Sequence, residues 1–292
     1  MKLTSTAQGL LCSALAFGFF TLVDTISKVL LERYSPFETM GVTLFISSAV
    51  VFLFALATKG RDFKKEIRPH NKALHLWRGI TQFLSSGLFC FALIHMPLAE
   101  FYVIVFLAPI FVALLSAAFL KEKLTPALVI STLVSFAGAV IALRPAQGFD
   151  IWALVAVAGS IMNAVVSLVL RKQAPGETAL SPAMTVGAIV GVLSLVPAAF
   201  SFTMPDAKDA GLLLLAGILY ACGQITVVRA FRLAPASLAV APQFLQLVYG
   251  AITGFLVFGH VPSIWIYVGG AIVVGANLYL LYTQNKKAKR LS

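Results

Sequence analysis

Charge is what this sequence has least of. Asp, Glu, Lys and Arg make up 11% of its 292 residues and hydrophobic residues 60%, whereas soluble domains carry roughly 25% charge and about 45–50% apolar residues. Side chains of this kind cannot clothe a water-facing surface, which excludes a soluble domain. Cysteine is almost missing too. Cys12, Cys90 and Cys222 are an odd number, lie inside apolar runs and show no CxxC spacing, so neither a disulfide frame nor a thiolate metal site is expected. The four histidines, His70, His75, His95 and His260, sit in loops or at helix ends without ligand spacing, and no metal is expected. No phosphate-binding loop, dinucleotide fingerprint or nucleophile elbow occurs, which excludes ATP-driven pumping within this chain; neither a cofactor nor catalysis is expected.

What the chain does contain is ten long apolar segments. A bilayer-spanning helix needs about 20 mainly apolar residues, and the spans read as Ala7–Leu31, Phe37–Ala57, Ala73–His95, Leu98–Leu120, Pro126–Leu143, Ile151–Leu170, Pro182–Phe202, Asp209–Leu233, Ser237–Phe258 and Ile264–Thr283. Short connections marked by Ser35-Pro36, Met96-Pro97, Lys121-Glu122-Lys123, Pro175-Gly176, Pro205-Asp206 and Ala234-Pro235 separate them; the one long polar loop is the basic stretch Lys59 to Lys72. Lys2 and Ala14-Leu15-Ala16 resemble parts of a signal peptide. The apolar run continues to Leu31, long enough to span, so it is read as the first transmembrane helix.

The basic residues orient these spans. With both termini in the cytoplasm, 18 of the 22 Lys and Arg fall inside: Lys2, seven from Lys59 to Arg78, Lys121, Lys123, Arg171, Lys172, Arg229, Arg232 and four from Lys286 to Arg290. Only Lys28, Arg33, Arg144 and Lys208 stay outside. That asymmetry is the one that orients membrane helices. It also accounts for the net charge of +11 without nucleic acid, which is not expected as a partner. The expected setting is the cell inner (cytoplasmic) membrane, with the lipid bilayer as the chain's first partner.

A weak internal repeat lies at the 138-residue separation of Pro97 and Pro235, which also aligns Arg33 with Arg171, Gly79 with Gly217, Ile80 with Ile218, Ala92 with Ala230, Phe106 with Phe244 and Ala113 with Ala251. Each half, residues 1–145 and 146–292, would hold five spans. Five is odd, so the second half enters the membrane from the opposite side, giving an inverted-topology pair with a site between the halves. The expected fold class is an all-α integral membrane protein of two inverted five-helix repeats.

Certain residues carry a family resemblance. Trp77-Arg78-Gly79, then Ala92-Leu93-Ile94-His95-Met96-Pro97-Leu98-Ala99-Glu100, then Ala108-Pro109-Ile110-Phe111 and Leu120-Lys121-Glu122-Lys123 resemble the first repeat of the drug/metabolite transporter superfamily, EamA family. The second half is similar at Arg232-Leu233-Ala234-Pro235-Ala236, but His260 stands where the family commonly has Glu, and Pro242 takes the helix-breaking position. The resemblance implies the fold and transport and is nearly silent on the solute. It points to export or exchange.

Polar groups inside the membrane are costly and therefore candidates for function. The outer layer holds Asp24 and Lys28, four residues apart and able to pair, and Glu100 at the same depth: an expected three-membered charge cluster that forms an outer gate or proton-coupling site. The plainer reading is a snorkelling Lys28 and a solvated Glu100 at a helix start. The middle and inner layer is uncharged: Gln82, Asn163, Tyr220, Gln224, Gln243, Gln246 and Asn277, each a solute ligand or helix glue, Asn277 leaning to glue. Pro109 and Pro242 interrupt equivalent helices that would line the path. Phe17 and Phe106, with Phe20, Phe83, Phe89 and Phe244, would supply apolar walls. Arg78, Arg229 and Arg232 could draw an anionic solute inward or anchor helix ends, and read better as anchors. Gly187-x-x-x-Gly191 and Gly250-x-x-x-Gly254 fit either packing of the halves or a homodimer as against a monomer.

These features point to a secondary transporter of a small zwitterionic or neutral metabolite with an apolar or ring portion, such as an amino acid, adenosyl or flavin-like compound. It would work by alternating access, with protons one candidate driving ion. A membrane-embedded enzyme or lipid-handling protein is the rival, but only Asp24 and Glu100 approach a catalytic pair. A structural or sensory partner would leave the midplane amides without a purpose.

Overall fold

In the computed structural model, residues 5–120, 126–143, 150–173, 178, 180–233 and 241–291 are described. The Lys121–Lys123 turn, Arg144, Pro175-Gly176, Pro235 and the division between residues 145 and 146 lie outside them, as do the side chains of Pro109, Arg171, Arg232 and Phe244. Among the described residues the chain is helical and has no strand: α1 (Ser5–Leu30), α2 (Pro36–Lys59), a 3-10 turn at Gly60–Asp62, α3 (Phe63–Ile67), α4 (Lys72–His95), α5 (Leu98–Val105), α6 (Ala108–Leu120), α7 (Pro126–Leu143), α8 (Ile151–Gln173), α9 (Leu180–Ala198), α10 (Ala207–Leu233), a 3-10 turn at Ala241–Phe244, α11 (Leu245–Phe258) and α12 (Ile264–Leu291).

The punctuation that marks helix ends in the sequence acts through identifiable bonds. Ser35 Oγ accepts from Glu38 N at 3.2 Å with Pro36 opening α2. Asn71 Oδ1 accepts from Leu74 N at 3.1 Å at the start of α4. Asp206 Oδ1 does the same for Asp209 N at 2.8 Å before α10. Each satisfies a backbone donor that the first helical turn leaves unpaired. The end of α11 is a glycine stop: Gly259 takes φ 66°, its N–H reaches Phe255 O at 3.0 Å, and His260 N reaches Gly254 O at 3.2 Å.

Five helical segments are long and apolar enough to cross a membrane: Gln8–Leu30, Pro36–Lys59, Ile151–Val169, Leu180–Ala198 and Ala207–Val227. Leu98–Val112, Val129–Ala142, Leu245–Phe258 and Ile264–Tyr279 are shorter apolar stretches. Helix α4 has the length but buries His75, Arg78, Thr81 and Ser85. Its polarity is tolerated because α8 and α9 pack along it. The outward surface is apolar: Phe136 is 64% exposed, Leu195 62% and Leu256 74%, which hydrocarbon tolerates and water does not.

Three expected elements differ in form. The span Leu98–Leu120 is two helices, broken at Phe106-Leu107, where the chain approaches Pro109, a residue with no N–H to continue the helix. The span Ser237–Phe258 opens, in its described part, with the 3-10 turn that contains Pro242. The basic loop after Lys59 contains the one-turn helix α3, pinned by Lys59 Nζ to Glu66 Oε1 at 3.4 Å and by Thr178 Oγ1 donating to Glu66 O.

Helices pair mainly across the sequence: α1 with α10, α2 with α9, α4 with α8, α5 with α11, and α7 with α12. Small residues let these pairs close. A methyl at Gly187 would meet Leu44 O at 2.7 Å, and one at Gly41 would meet Ser194 Cβ at 2.6 Å, so the Gly187-x-x-x-Gly191 motif packs α9 on α2 within the chain. Gly250 likewise receives the Tyr102 ring, at 2.5 Å from an added methyl.

Candidate functional site

Helix α1 carries Phe17, Phe20, Thr21, Asp24, Thr25 and Lys28 at three- and four-residue spacing, which puts them on one stripe. That stripe faces α4, α5, α10 and α11, and each member has a partner on the facing helices or within α1. Tyr102 on α5 donates its hydroxyl proton to Asp24 Oδ2 at 2.7 Å. Thr25 and Thr253 share a 3.0 Å hydrogen bond between α1 and α11. Lys28, 8% exposed, donates from Nζ to Leu93 O at 2.5 Å and to Met96 O at 2.7 Å, and lies 5.6 Å from the centre of the Phe258 ring.

Sequence explains why Lys28 is wanted there. The carbonyl of Leu93 would bond the N–H four residues on, but that residue is Pro97 and has none. The last carbonyls of α4 are therefore unpaired and carry the negative end of the helix dipole, a place for a buried cation. The charge cluster expected of Asp24, Lys28 and Glu100 is accordingly not the arrangement found. Lys28 caps α4, Asp24 binds Tyr102, and Glu100, half-buried in the first turn of α5, makes no ion pair among the described residues.

A second knot forms at the helix break. Phe106 O has lost its donors, since Pro109 has no N–H and Ile110 N bonds Leu107 O at 3.0 Å. Asn277 Nδ2 supplies the missing proton at 3.1 Å while also reaching Val273 O at 2.8 Å. Asn277 thus glues α12 to the break. Its Oδ1 is buried without a partner. Replacing it by leucine loses both bonds but also removes that orphan oxygen, so Asn277→Leu is expected to cost only about 1 kcal/mol in detergent unfolding titrations.

The other candidates lie as follows. Tyr220 on α10 faces α1, its ring 5.6 Å from that of Phe20, and Gln224 flanks its hydroxyl. Phe17 meets Phe20 edge-on at 6.1 Å. Gln82 donates to Ser86 Oγ at 3.0 Å on its own helix. Asn163 is half-buried on α8 and its backbone carbonyl holds Ser167. Gln246 is buried at the start of α11, and Gln243 is half-buried in the preceding turn. Phe106 is fully buried, its ring 6.4 Å from that of Tyr102. None of these candidates is exposed on the outer surface. The structure brings Asp24, Phe17, Phe20, Tyr220 and Gln224 together along the α1–α10 contact; Gln82 lies on α4 and Asn163 on α8, helices that pack on each other, and Glu100 stands apart.

Sequence reasoning missed four polar groups. Tyr102 was passed over as one more aromatic, although a hydroxyl at this depth needs a partner. Glu38 is 2% exposed and accepts from Thr203 N at 3.3 Å. His75, expected in a loop or at a helix end, is buried and bonded to Thr185 Oγ1 at 2.6 Å. Arg78 is 6% exposed and donates from Nη1 to Pro182 O at 3.3 Å, so the inner layer is not neutral as expected. Just beyond the C-terminal end of α1 Arg33 pairs with Asp209 at 3.2 Å, and Tyr34 donates to the same carboxylate at 2.9 Å. Burial and that bond push the Tyr34 hydroxyl above its ordinary value.

The chain has relatives over nearly its whole length. It is 27% identical over 264 residues to an S-adenosylmethionine uptake transporter of Rickettsia bellii, covering 90% of this chain and 89% of that one. It is 26% identical to a riboflavin transporter of Vibrio cholerae (97% and 96% covered) and 24% identical to a pseudopaline exporter of Pseudomonas aeruginosa (97% and 99% covered). A solved protein crystal structure matches its fold with a TM-score of 0.68 at 21% identity, covering 99% of this chain and 98% of the other. Residues 7–144, somewhat under half of the chain, match the EamA-like transporter family, and with relatives that are themselves transporters this bears out the resemblance to the drug/metabolite transporters read from the sequence.

Proposed function

We propose that this transporter moves a small organic metabolite across the cytoplasmic membrane by alternating access, as ten spans in two inverted halves with both termini inside. The observation that carries the reading is the polar stripe of α1. Asp24, Thr25 and Lys28 tie that helix to α5, α11 and α4 within two turns, so one helix closes one face of the bundle with bonds that a modest tilt would break together. The 138-residue offset supports the two halves: it carries the end of α4 onto that of α10, the end of α6 onto that of α11, and the start of α7 onto that of α12. Exchanging the halves also leaves the helix pairing unchanged, since α1 with α10 becomes α8 with α4.

The relatives' names span S-adenosylmethionine, riboflavin and pseudopaline, in both directions of transport. They support a polar solute with a ring or extended organic portion, seated against Phe17, Phe20, Tyr220 and Gln224 and reached by Gln82, Asn163, Gln243 and Gln246 on rearrangement. Asp24 is the carboxylate placed to exchange a proton when its bond to Tyr102 opens, with Glu100 the second candidate. In proteoliposomes with an imposed pH gradient, Asp24→Asn should cut gradient-driven accumulation at least about tenfold while Glu100→Gln changes it less. Unchanged gradient dependence in both variants would remove the coupling role.

A further inference from the structure

The connection between α2 and α4 carries more positive charge than its own acids neutralise. Lys59, Arg61, Lys64, Lys65, Arg68 and Lys72 are set there against Asp62 and Glu66. Both acids are already committed: Glu66 Oε1 lies 3.4 Å from Lys59 Nζ, and Asp62 Oδ1 lies 3.2 Å from Lys65 Nζ. Lys64, Arg68 and Lys72 are exposed, and no salt bridge among the described residues involves them.

Helix α3 fixes this charge in place. Phe63 and Ile67, one turn apart, pack on the core cluster of Val51, Ala55, Leu180 and Ala183, and the Phe63 ring meets Phe52 edge-on at 5.6 Å. Thr178 Oγ1 bonds the Glu66 carbonyl from the start of α9. With its apolar side chains turned to the bundle, the one-turn helix leaves Lys64 and Lys65 facing out. The height is set as well. On α2 the exposed apolar side chains run to Leu56, about 4.5 Å along the axis from Lys59, and on α4 they resume at Leu76 and Trp77, about 6–8 Å past Lys72. Trp77 is 61% exposed, and tryptophan at the edge of an apolar belt marks the level of lipid headgroups. The uncompensated charges therefore stand where lipid phosphates lie.

We propose that Lys64, Arg68 and Lys72 form a binding site for the headgroup of an anionic phospholipid, whose acyl chains run along Leu76 and Trp77. A phosphodiester offers the anionic oxygens that a guanidinium fork and two ammonium groups suit. Phosphatidylcholine carries the same phosphate, but its own trimethylammonium group cancels the charge, so the site selects net-negative lipid. Selection of this kind is independent of which solute is carried. Under the orientation proposed above, the lipid belongs to the cytoplasmic leaflet.

Trp77 itself is the reporter for the test. Trp152 stacks on His95 at the far end of α4, with ring centres 3.6 Å apart, and Trp265 follows Phe258, whose ring Lys28 ties to that same end. Replacing both by phenylalanine leaves Trp77 the one tryptophan of the chain. In phosphatidylcholine vesicles, brominated phosphatidylglycerol should quench Trp77 with an apparent affinity at least about fivefold above that of brominated phosphatidylcholine. Lys64→Gln, Arg68→Gln and Lys72→Gln together should bring the two lipids within about twofold, whereas the charge-neutral pair Asp62→Asn with Lys65→Gln should leave the preference standing. Equal quenching of Trp77 by the two lipids, or a triple variant that keeps the preference, overturns the proposal. So does loss of the preference on adding inorganic phosphate at constant ionic strength, which would make this a site for a soluble anion. If the single-tryptophan background fails to fold, spin-labelled phosphatidylglycerol and phosphatidylcholine compared on the unaltered chain and on the triple variant decide in the same way. A chain that prefers the anionic lipid yet accumulates no solute in proteoliposomes would keep this site and lose the transport reading.

Discussion

Replacing Lys28 by methionine is expected to lower stability by about 2–4 kcal/mol, because it strips two carbonyls at the buried end of α4 of the donor they share among the described residues. The side chain is near its wild-type length, so packing against Phe258 is retained and the loss is mainly electrostatic. Lysine accomplishes here what a backbone amide would do if residue 97 were not proline. The end of the bundle that Lys28 ties together should also open more often: a cysteine placed near Met96 should react faster with a membrane-impermeant thiol reagent in Lys28→Met than in the parent background, while one near Asn71 should not. Equal labelling rates at Met96 would mean that Lys28 holds the helix together without holding the face closed.

The other large effect is expected at the α7–α12 contact. A side chain at Gly269 would be driven onto the carbonyl oxygen of Gly138, and would stand 2.6 Å from Ala142 N and 2.7 Å from Ala142 Cβ. Two of these three atoms are backbone, so no rotamer change relieves the clash; the helices must part. Overpacking of this kind costs about 1–3 kcal/mol where neighbours can give and more where they cannot, and Gly269→Leu is expected at or beyond the upper end. Loss of the folded species on size-exclusion chromatography after mild heating would report it. Gly275→Leu on the same helix, with nothing within 4 Å of an added methyl, is the matched control and should behave as wild type. If Gly269→Leu is as stable as that control, the close approach of α7 and α12 is not as described.

Most helix ends were readable in advance because local chemistry decides them: Ser35 before Pro36, Pro97 after Met96 and the apolar-to-polar step at His95 act within one turn. The break in the fourth span was readable from Pro109, yet it falls at Phe106-Leu107, because a proline disturbs the turn before it. Helix pairing was not readable. Helices apolar on every side carry no stripe that names their neighbour, and α2 meets α9 through three glycines whose significance appears only when both surfaces are present. The candidate residues Asp24 and Lys28 were legible because charge at membrane depth is rare, but their partners were not: a tyrosine hydroxyl and two carbonyls leave no mark in a residue pattern. Arg78 was misjudged for a related reason. It follows the basic loop closely enough to pass for one more cytoplasmic anchor, and only its burial against α9 separates it from the others.

The pairing of each helix with one from the far half has a consequence for biosynthesis. When the ribosome has released α1 to α7, the widest contact faces of α1, α2, α4 and α7 await helices not yet made. The nascent half must wait in the bilayer with those faces turned to lipid or to the insertion machinery, and each later helix finds an older partner instead of its predecessor. Assembly therefore finishes last to first, α12 closing on α7, and a chain truncated after α11 should be retained as an immature, protease-sensitive species.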